Sequence, residues 1–431
     1  MKKKRKLKRS IKLFFIVLFI LFIFILFNDD EDISNFKEVI NKPIYDITSN
    51  SESDIEVLKD IFADGMNVDN YKKIFSFKPE YIKDNGKYEL INYDFEKKLH
   101  YYELEDIYKE MANSDIVDVL IIGKSVDNRN IYGIEVGKGE KVIFLDANVH
   151  AAEIANTLIL TKFLTEILND YELGDKNTVN MLKDYKLAII PSINPDGYEV
   201  YNYGVESLNN KDLWIYENKN KINFENLKSN ANGVDLNRNF PTQNAGLYYV
   251  NKKLINSVSL DKTYKGGIYF GGYEVGSEPE TRAVMYFAYK HYKNIVKYIN
   301  MHSQGRVIYA GKPNLSDELN DLTLKFAKDI SKINGYTAHG LSSEEVGEGN
   351  DGSVTDFMAE LANGFIFSSK TGRLSTDKYK NNSCEFKFKY PVITLETIRT
   401  YTTDTSVFKK EYYDYHLRDM LYSLFEVNYE W

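Results

Sequence analysis

His150-Ala151-Ala152-Glu153 sets an imidazole and a carboxylate three residues apart, directly after the segment Val142 to Val149. Where a strand gives way to a helix, this spacing places the two side chains about one turn apart, within reach of one ion. Zinc accepts imidazole nitrogen and carboxylate oxygen, and a catalytic zinc site takes three protein ligands and leaves a position for water. The chain has only six histidines, at 100, 150, 291, 302, 339 and 416. His302, after Val296 to Met301, is the natural third ligand. Alone, an H-x-x-E pair equally fits a buried, hydrogen-bonded histidine, so the reading draws on other segments.

Gly233-Val234-Asp235-Leu236-Asn237-Arg238-Asn239-Phe240-Pro241 places Asn237 and Arg238 in a loop. Beyond residue 27 the chain has seven arginines: 129, 238, 282, 306, 373, 399 and 418. A guanidinium is the bidentate partner of a carboxylate, which here is either a substrate's or a structural one. Glu396 ends the β-type run Pro391-Val392-Ile393-Thr394-Leu395, and an acid at such a strand end is either paired or functional. Beside a metal-activated water it is a candidate general base.

The elements that must position these groups alternate along the chain. Helical spacing covers Glu103 to Met111, Ile154 to Leu168, part of Thr281 to Tyr298, and Asp317 to Ile333. Strand-like runs cover Val117 to Ile122, Ile131 to Val136, Val142 to Leu145, Leu187 to Ile193, Ile299 to His302 and Val392 to Glu396. Asn194-Pro195-Asp196-Gly197 is a strong turn signal. This alternation predicts an α/β fold, a layered sheet with helices on both faces and its active site at strand ends.

Composition narrows the function. With 43% hydrophobic and 27% charged residues the chain can bury a core. One cysteine, Cys384, excludes an internal disulfide framework, a zinc site needing two thiolates, and an iron–sulfur cluster held by this chain alone. Residues 1–12 carry eight basic side chains and no acid. The other 47 Lys and Arg face 63 Asp and Glu, a net charge of −16, which argues against nucleic acid as the main partner. Leu13 to Phe27 is fifteen consecutive apolar residues, the signature of a segment made for a bilayer or a translocon. No small-residue cleavage site follows, so the expectation is an uncleaved transmembrane signal anchor at residues 1–27, with the acidic body outside the cell. Residues 28–98 read as an acidic stalk or small N-terminal segment, and residues 99–431 as the catalytic domain.

Together these segments resemble the zinc carboxypeptidase family, the group that contains carboxypeptidases A and T and the bacterial γ-D-glutamyl diamino-acid peptidases. The motifs stand in order: His150 to Glu153, Asn194-Pro-Asp-Gly-Tyr198, Gly233 to Phe240, Gly276-Ser-Glu-Pro-Glu-Thr-Arg-Ala283, His302-Ser-Gln-Gly305, Gly352-Ser353 with Asp356, and Thr394-Leu-Glu396. The resemblance implies a single domain built on a mixed β-sheet, with one zinc held by His150, Glu153 and His302. Glu396 would take the proton of the attacking water and return it to the leaving amine, and Asn237 and Arg238 would hold a substrate carboxylate. Glu278 and Arg282 would belong to the scaffold, in structural ion pairs.

Two departures from the family stand out. The second arginine common upstream of Gly-Val-Asp is missing, since no residue between Pro191 and Asn237 is Arg. Either a lysine such as Lys211 or Lys228 substitutes, or zinc does most of the work, or turnover is reduced. Leu341 to Gly352 also lacks the family's loop tyrosine, so no tyrosine is assigned to the site. That loop is acidic and glycine-rich, either a solvated turn or a flap favouring an amine-bearing substrate. The phrase His302-Ser-Gln-Gly305 is closer to the bacterial wall peptidases, and a surface anchor suits a peptidoglycan stem-peptide substrate. The alternatives are a metallocarboxypeptidase acting on ordinary peptides and a pseudo-peptidase that binds wall peptides without cleaving them.

Overall fold

The structure is a computed structural model of the chain. It describes residues 77–82, 86–218, 226–243, 245, 247–250, 253–256, 269–310, 316–340, 348–350, 352–364, 366–368, 373–375 and 389–426. The apolar segment Leu13 to Phe27 and Cys384 lie outside these residues, as does most of the acidic loop 342–352. Among the described residues no helix is long and apolar enough to cross a membrane.

The main sheet has nine strands: β1 (Glu80–Tyr81), β2 (Val117–Lys124), β3 (Asn130–Val136), β4 (Lys141–Ala147), β5 (Tyr185–Ile190), β6 (Ile295–Ser303), β7 (Val307–Ala310), β8 (Thr337–Ala338) and β9 (Val392–Thr397). Their order is β1-β2-β3-β5-β4-β6-β9-β7-β8. The centre, β5-β4-β6-β9, is parallel. Antiparallel pairs flank it at β1-β2, β2-β3, β3-β5 and β9-β7. The helices are α1 (Tyr101–Met111), α2 (Ala155–Glu172), α3 (Lys176–Asp184), α4 (Pro195–Tyr203), α5 (Lys211–Asn218), α6 (Pro279–His291), α7 (Asp317–Asn334), α8 (Val354–Ala362), α9 (Thr405–Tyr413) and α10 (Leu417–Ser423).

A parallel strand covered on both faces must be apolar at successive positions rather than at alternate ones. β4 shows this: Ile143, Leu145 and Ala147 enter one buried cluster with α1, α2, α9 and α10, while Val142 and Phe144 enter another with α6 and α8. The mixed sheet with helices on both sides is thus the expected α/β fold. α7 carries its own boundaries. Ser316 accepts from Leu319 N at 3.3 Å, acids occupy the first turn, and Gly335 ends the helix at φ 70°.

Two boundaries differ from the sequence reading. Thr281 to Tyr298 divides, the helix ending at His291 and β6 starting at Ile295. No glycine or proline marks the turn at Tyr292-Lys293-Asn294, so the reading ran across it. Part of the segment read as stalk also joins the domain: Glu80–Tyr81 pairs with β2, and Tyr88, Tyr93 and Phe95 are buried in the core with α2 and α9.

Candidate active site and metal centre

Three parallel strand ends supply the site. β4 runs out at Ala147, and Asn148 takes a left-handed φ of 57° while its amide donates to His150 O at 2.9 Å. Asparagine tolerates that conformation, and it turns the chain so that His150 and Glu153 face inward before α2 begins. Gly197 packs α4 onto this turn: a Cβ there would meet Ala151 Cβ at 2.5 Å, so only glycine fits. His302 lies near the end of β6, and Glu396 is its in-register partner on β9. Asn156, in the first turn of α2, donates to His302 O at 2.8 Å and accepts from Thr397 Oγ1 at 2.7 Å, so one amide clamps both strands.

His150 Nδ1 lies 2.7 Å from Glu153 Oε1, and His302 Nδ1 lies 2.8 Å from Glu153 Oε2. All three residues are buried, with ligand atoms within 4.8 Å of one another. The second contact has ion-pair distance but not the arrangement of a hydrogen bond, and Glu153 Oε2 is left without one. Also buried here without a hydrogen bond are Asp235 Oδ2, Arg238 Nε and Glu396 Oε2, and, on the far side of its ring, His150 Nε2. An orphaned buried polar atom costs about 1–3 kcal/mol. Two imidazoles and a carboxylate, convergent and incompletely satisfied, are the donor set zinc takes. The residues present therefore fit the metal.

Behind the ligands, Asp235 Oδ1 lies 3.4 Å from His150 Nε2. A carboxylate on the far nitrogen of a ligating imidazole fixes its tautomer and orientation. Sequence reasoning gave Asp235 no role, although an acid inside the Gly-Val-Asp motif was the available signal. Asp235 is fully buried, which alone would raise its pKa, yet Arg238, His150 and Lys228 hold it well below the usual carboxylate range. Burial likewise works against Glu153, and the two imidazoles outweigh it and bring its pKa down to about 2. Glu396 behaves oppositely: burial and the Glu153 charge push it well above the usual range, with Lys228 opposing them. A buried carboxyl beside the metal ligands is placed for proton transfer.

Arg238 is half-buried beside this centre, its Nη1 donating to Asn237 O at 2.6 Å. Asn237 Oδ1 accepts from Val354 N at 3.0 Å. The two lysines named from the sequence part company. Lys211 is an exposed residue paired with Glu206 at 2.8 Å. Lys228 is fastened to the site from both sides, because Leu227 O accepts from Ala152 N at 2.8 Å and Ser229 forms a bridge with Asp235. Its Nζ stands 5.3 Å from the Tyr269 ring centroid, and the Arg238 guanidinium 5.5 Å from the same ring. The positive charge of Lys228 lowers the pKa of His150, His302, Asp235 and Glu396 alike. Tyrosine also borders the centre: Tyr401 donates to Ser303 O at 3.0 Å, and the Glu153 and Glu396 charges are among the causes raising its pKa, after burial.

Glu278 and Arg282 form no ion pair among the described residues. Glu278 accepts from Ser277, Asn230 and Asn232, and Arg282 donates to the carbonyls of Gly276 and Ser277.

The family profile for zinc carboxypeptidase matches residues 104–391. The chain belongs to the zinc carboxypeptidase family. A γ-D-glutamyl-L-diamino acid endopeptidase 1 of Lysinibacillus sphaericus is 30% identical over 256 residues, which are 57% of this chain and 58% of that protein. The human carboxypeptidase N catalytic chain is 29% identical over 208 residues, 46% of this chain and 40% of that one. The chain thus spans about half the length of these two relatives. The carboxypeptidase A structure from Helicoverpa armigera shares the fold, with TM-score 0.54 and 16% identity over 88% of this chain and 82% of that chain. Zinc is the metal of this hydrolase family, and His150, Glu153 and His302 are the buried cluster that can hold it.

Proposed function

We propose that this zinc metallopeptidase hydrolyses the γ-D-glutamyl–diamino acid bond of peptidoglycan stem peptides, from a catalytic domain tethered outside the cell by Leu13 to Phe27. The observation that carries the chemistry is the convergence of His150, Glu153 and His302 with a raised Glu396 in register beside them. The substrate is supported by the likeness to the Lysinibacillus endopeptidase.

Zinc held by His150, Glu153 and His302 would supply a Lewis acid and would acidify a water. Glu396 would accept the proton of the attacking water and return it to the leaving amine. Arg238 and the Asn237 amide bind a carboxylate of the leaving residue and fix its register. Lys228 faces the charge that develops on the scissile carbonyl oxygen, the place of the missing arginine; removing one such donor costs about 100- to 1000-fold in other hydrolases.

Mass spectrometry of products tests this reading, with the soluble body given a muropeptide and a plain peptide alongside a Glu396→Gln control. The expected result is cleavage at the γ-D-glutamyl bond, reduced about 100- to 10,000-fold in the control. Release of C-terminal residues from the plain peptide alone would replace it with an ordinary metallocarboxypeptidase, a reading favoured by the likeness to carboxypeptidase N. Zinc binding with no cleavage would replace it with a wall-peptide-binding protein.

A further inference from the structure

A lysine in the place of an arginine has a positioning problem. A guanidinium is a planar fork that parallel bonds can fix, whereas an ammonium is a point charge on a flexible four-carbon stem. Lys228 therefore needs a guide outside its own side chain. A carboxylate partner would fix it but would also neutralise its charge. Among the described residues neither Lys228 nor Arg238 forms an ion pair. Asp235 feels both charges, yet the ion pair it makes is with His150.

What the two cations share is a ring. The Tyr269 centroid is 5.3 Å from Lys228 Nζ and 5.5 Å from the Arg238 guanidinium carbon, both inside the ~6 Å reach of a cation–π contact. The negative face of a ring attracts a cation without cancelling its charge, and one ring beside two cations offsets part of their repulsion. Tyr269 is held in place by the motif that carries Arg238. Asp235 N donates to Phe270 O at 2.7 Å, and Asn239 Nδ2 donates to Gly271 O at 2.9 Å. Phe270 is buried, and Gly271 packs so closely that a Cβ there would stand 2.5 Å from Arg238 O. Lys228 precedes Ser229, which bridges to Asp235. Ring, ammonium and guanidinium thus take their places from one residue, the same Asp235 that meets His150.

We propose that Tyr269 is a positioning residue for the reaction, its ring holding Lys228 toward the scissile carbonyl oxygen and Arg238 toward the leaving residue's carboxylate. It acts through the two cations and needs no contact with the reacting atoms. The inference rests on the metallopeptidase reading that gives Lys228 and Arg238 those tasks. The two tasks separate in kinetics. Charge on the carbonyl oxygen develops only in the transition state, so a misplaced Lys228 lowers kcat. The leaving residue's carboxylate is charged in ground and transition states alike, so a misplaced Arg238 raises KM.

The test is steady-state kinetics of the full chain on a γ-D-glutamyl-linked and an α-linked peptide, using whichever linkage it cleaves. Tyr269→Leu and Tyr269→Met, which fill space without a ring, should lower kcat and raise KM by about 2- to 30-fold each, at unchanged zinc content and Tm. Tyr269→Phe, which keeps the ring, should retain both constants. In a Lys228→Met background Tyr269→Leu should lower kcat no further, and in an Arg238→Met background it should raise KM no further. A phenylalanine variant as impaired as the leucine one would overturn the proposal by assigning the role to the hydroxyl. Losses that add in full in both backgrounds, or unchanged constants in the leucine and methionine variants, would overturn it as well. Cleavage of the α-linked peptide alone would remove the wall-peptide reading and leave Tyr269 to be judged on that substrate. Cleavage of neither linkage by the unmodified chain would remove both.

Discussion

Two buried acidic clusters sit in this protein, and they are built on opposite plans. Around Glu280, each carboxylate oxygen is satisfied. Glu280 accepts from Val126 N and Asn230 at 3.0 Å, Glu278 from Ser277, Asn230 and Asn232, and Asp196 from Ser125, Asp127 N and Arg129. Around Glu153, polar atoms of five residues lack a hydrogen bond. A saturated cluster organises the chain and has no capacity left for a ligand. An unsaturated one carries a standing cost that a bound ion or substrate can offset.

The largest expected effect breaks the unsaturated cluster: His302→Ala should abolish stoichiometric zinc by atomic absorption and eliminate detectable turnover. If zinc persisted at one per chain, the ligand assignment would be wrong. Asp235→Asn should be milder, lowering zinc affinity about 10- to 100-fold in a chelator competition, because the carboxylate orients His150 rather than touching the metal. An unchanged affinity would leave Asp235 a scaffold residue.

The smallest effect belongs to the saturated cluster. Burial, then the Asp196 and Glu278 charges, push Glu280 up to about 8. Between its ordinary value of 4.5 and about 8 the folded protein keeps a proton that the unfolded chain has released. This contribution to stability is therefore complete below the ordinary pKa and is lost as pH rises through about 8. Glu280→Gln should raise Tm relative to the unmodified protein more at pH 9 than at pH 5, by about 2–4 °C for each kcal/mol recovered. A Tm gap that shrank toward alkaline pH would contradict the assignment.

The strands that matter most were legible because their chemistry sits at their ends. β4, β6 and β9 each run into a ligand or the base. The mixed sheet and the family could be read for the same reason, since the motifs are local and ordered. What could not be read is what one element does to another. Asn156 is a polar residue on a buried helix whose purpose appears only where it meets His302 and Thr397. Lys228 could not be told from Lys211 in the sequence, and only the bonds of Leu227 and Ser229 put it beside the metal ligands. The polar row that Asp146, Asn300 and Thr394 form across the sheet depends on register between three strands, which sequence spacing does not encode. Short helices such as α8, α9 and α10 lacked the length to establish a period.

β9 is the last strand of the sheet in chain order, yet it occupies the gap between β6 and β7. His150, Glu153 and His302 all leave the ribosome before it, whereas Glu396 arrives with it. Glu396 meets His302 only through the pairing of β9 with β6, so the base joins the metal ligands no earlier than the insertion of this late strand.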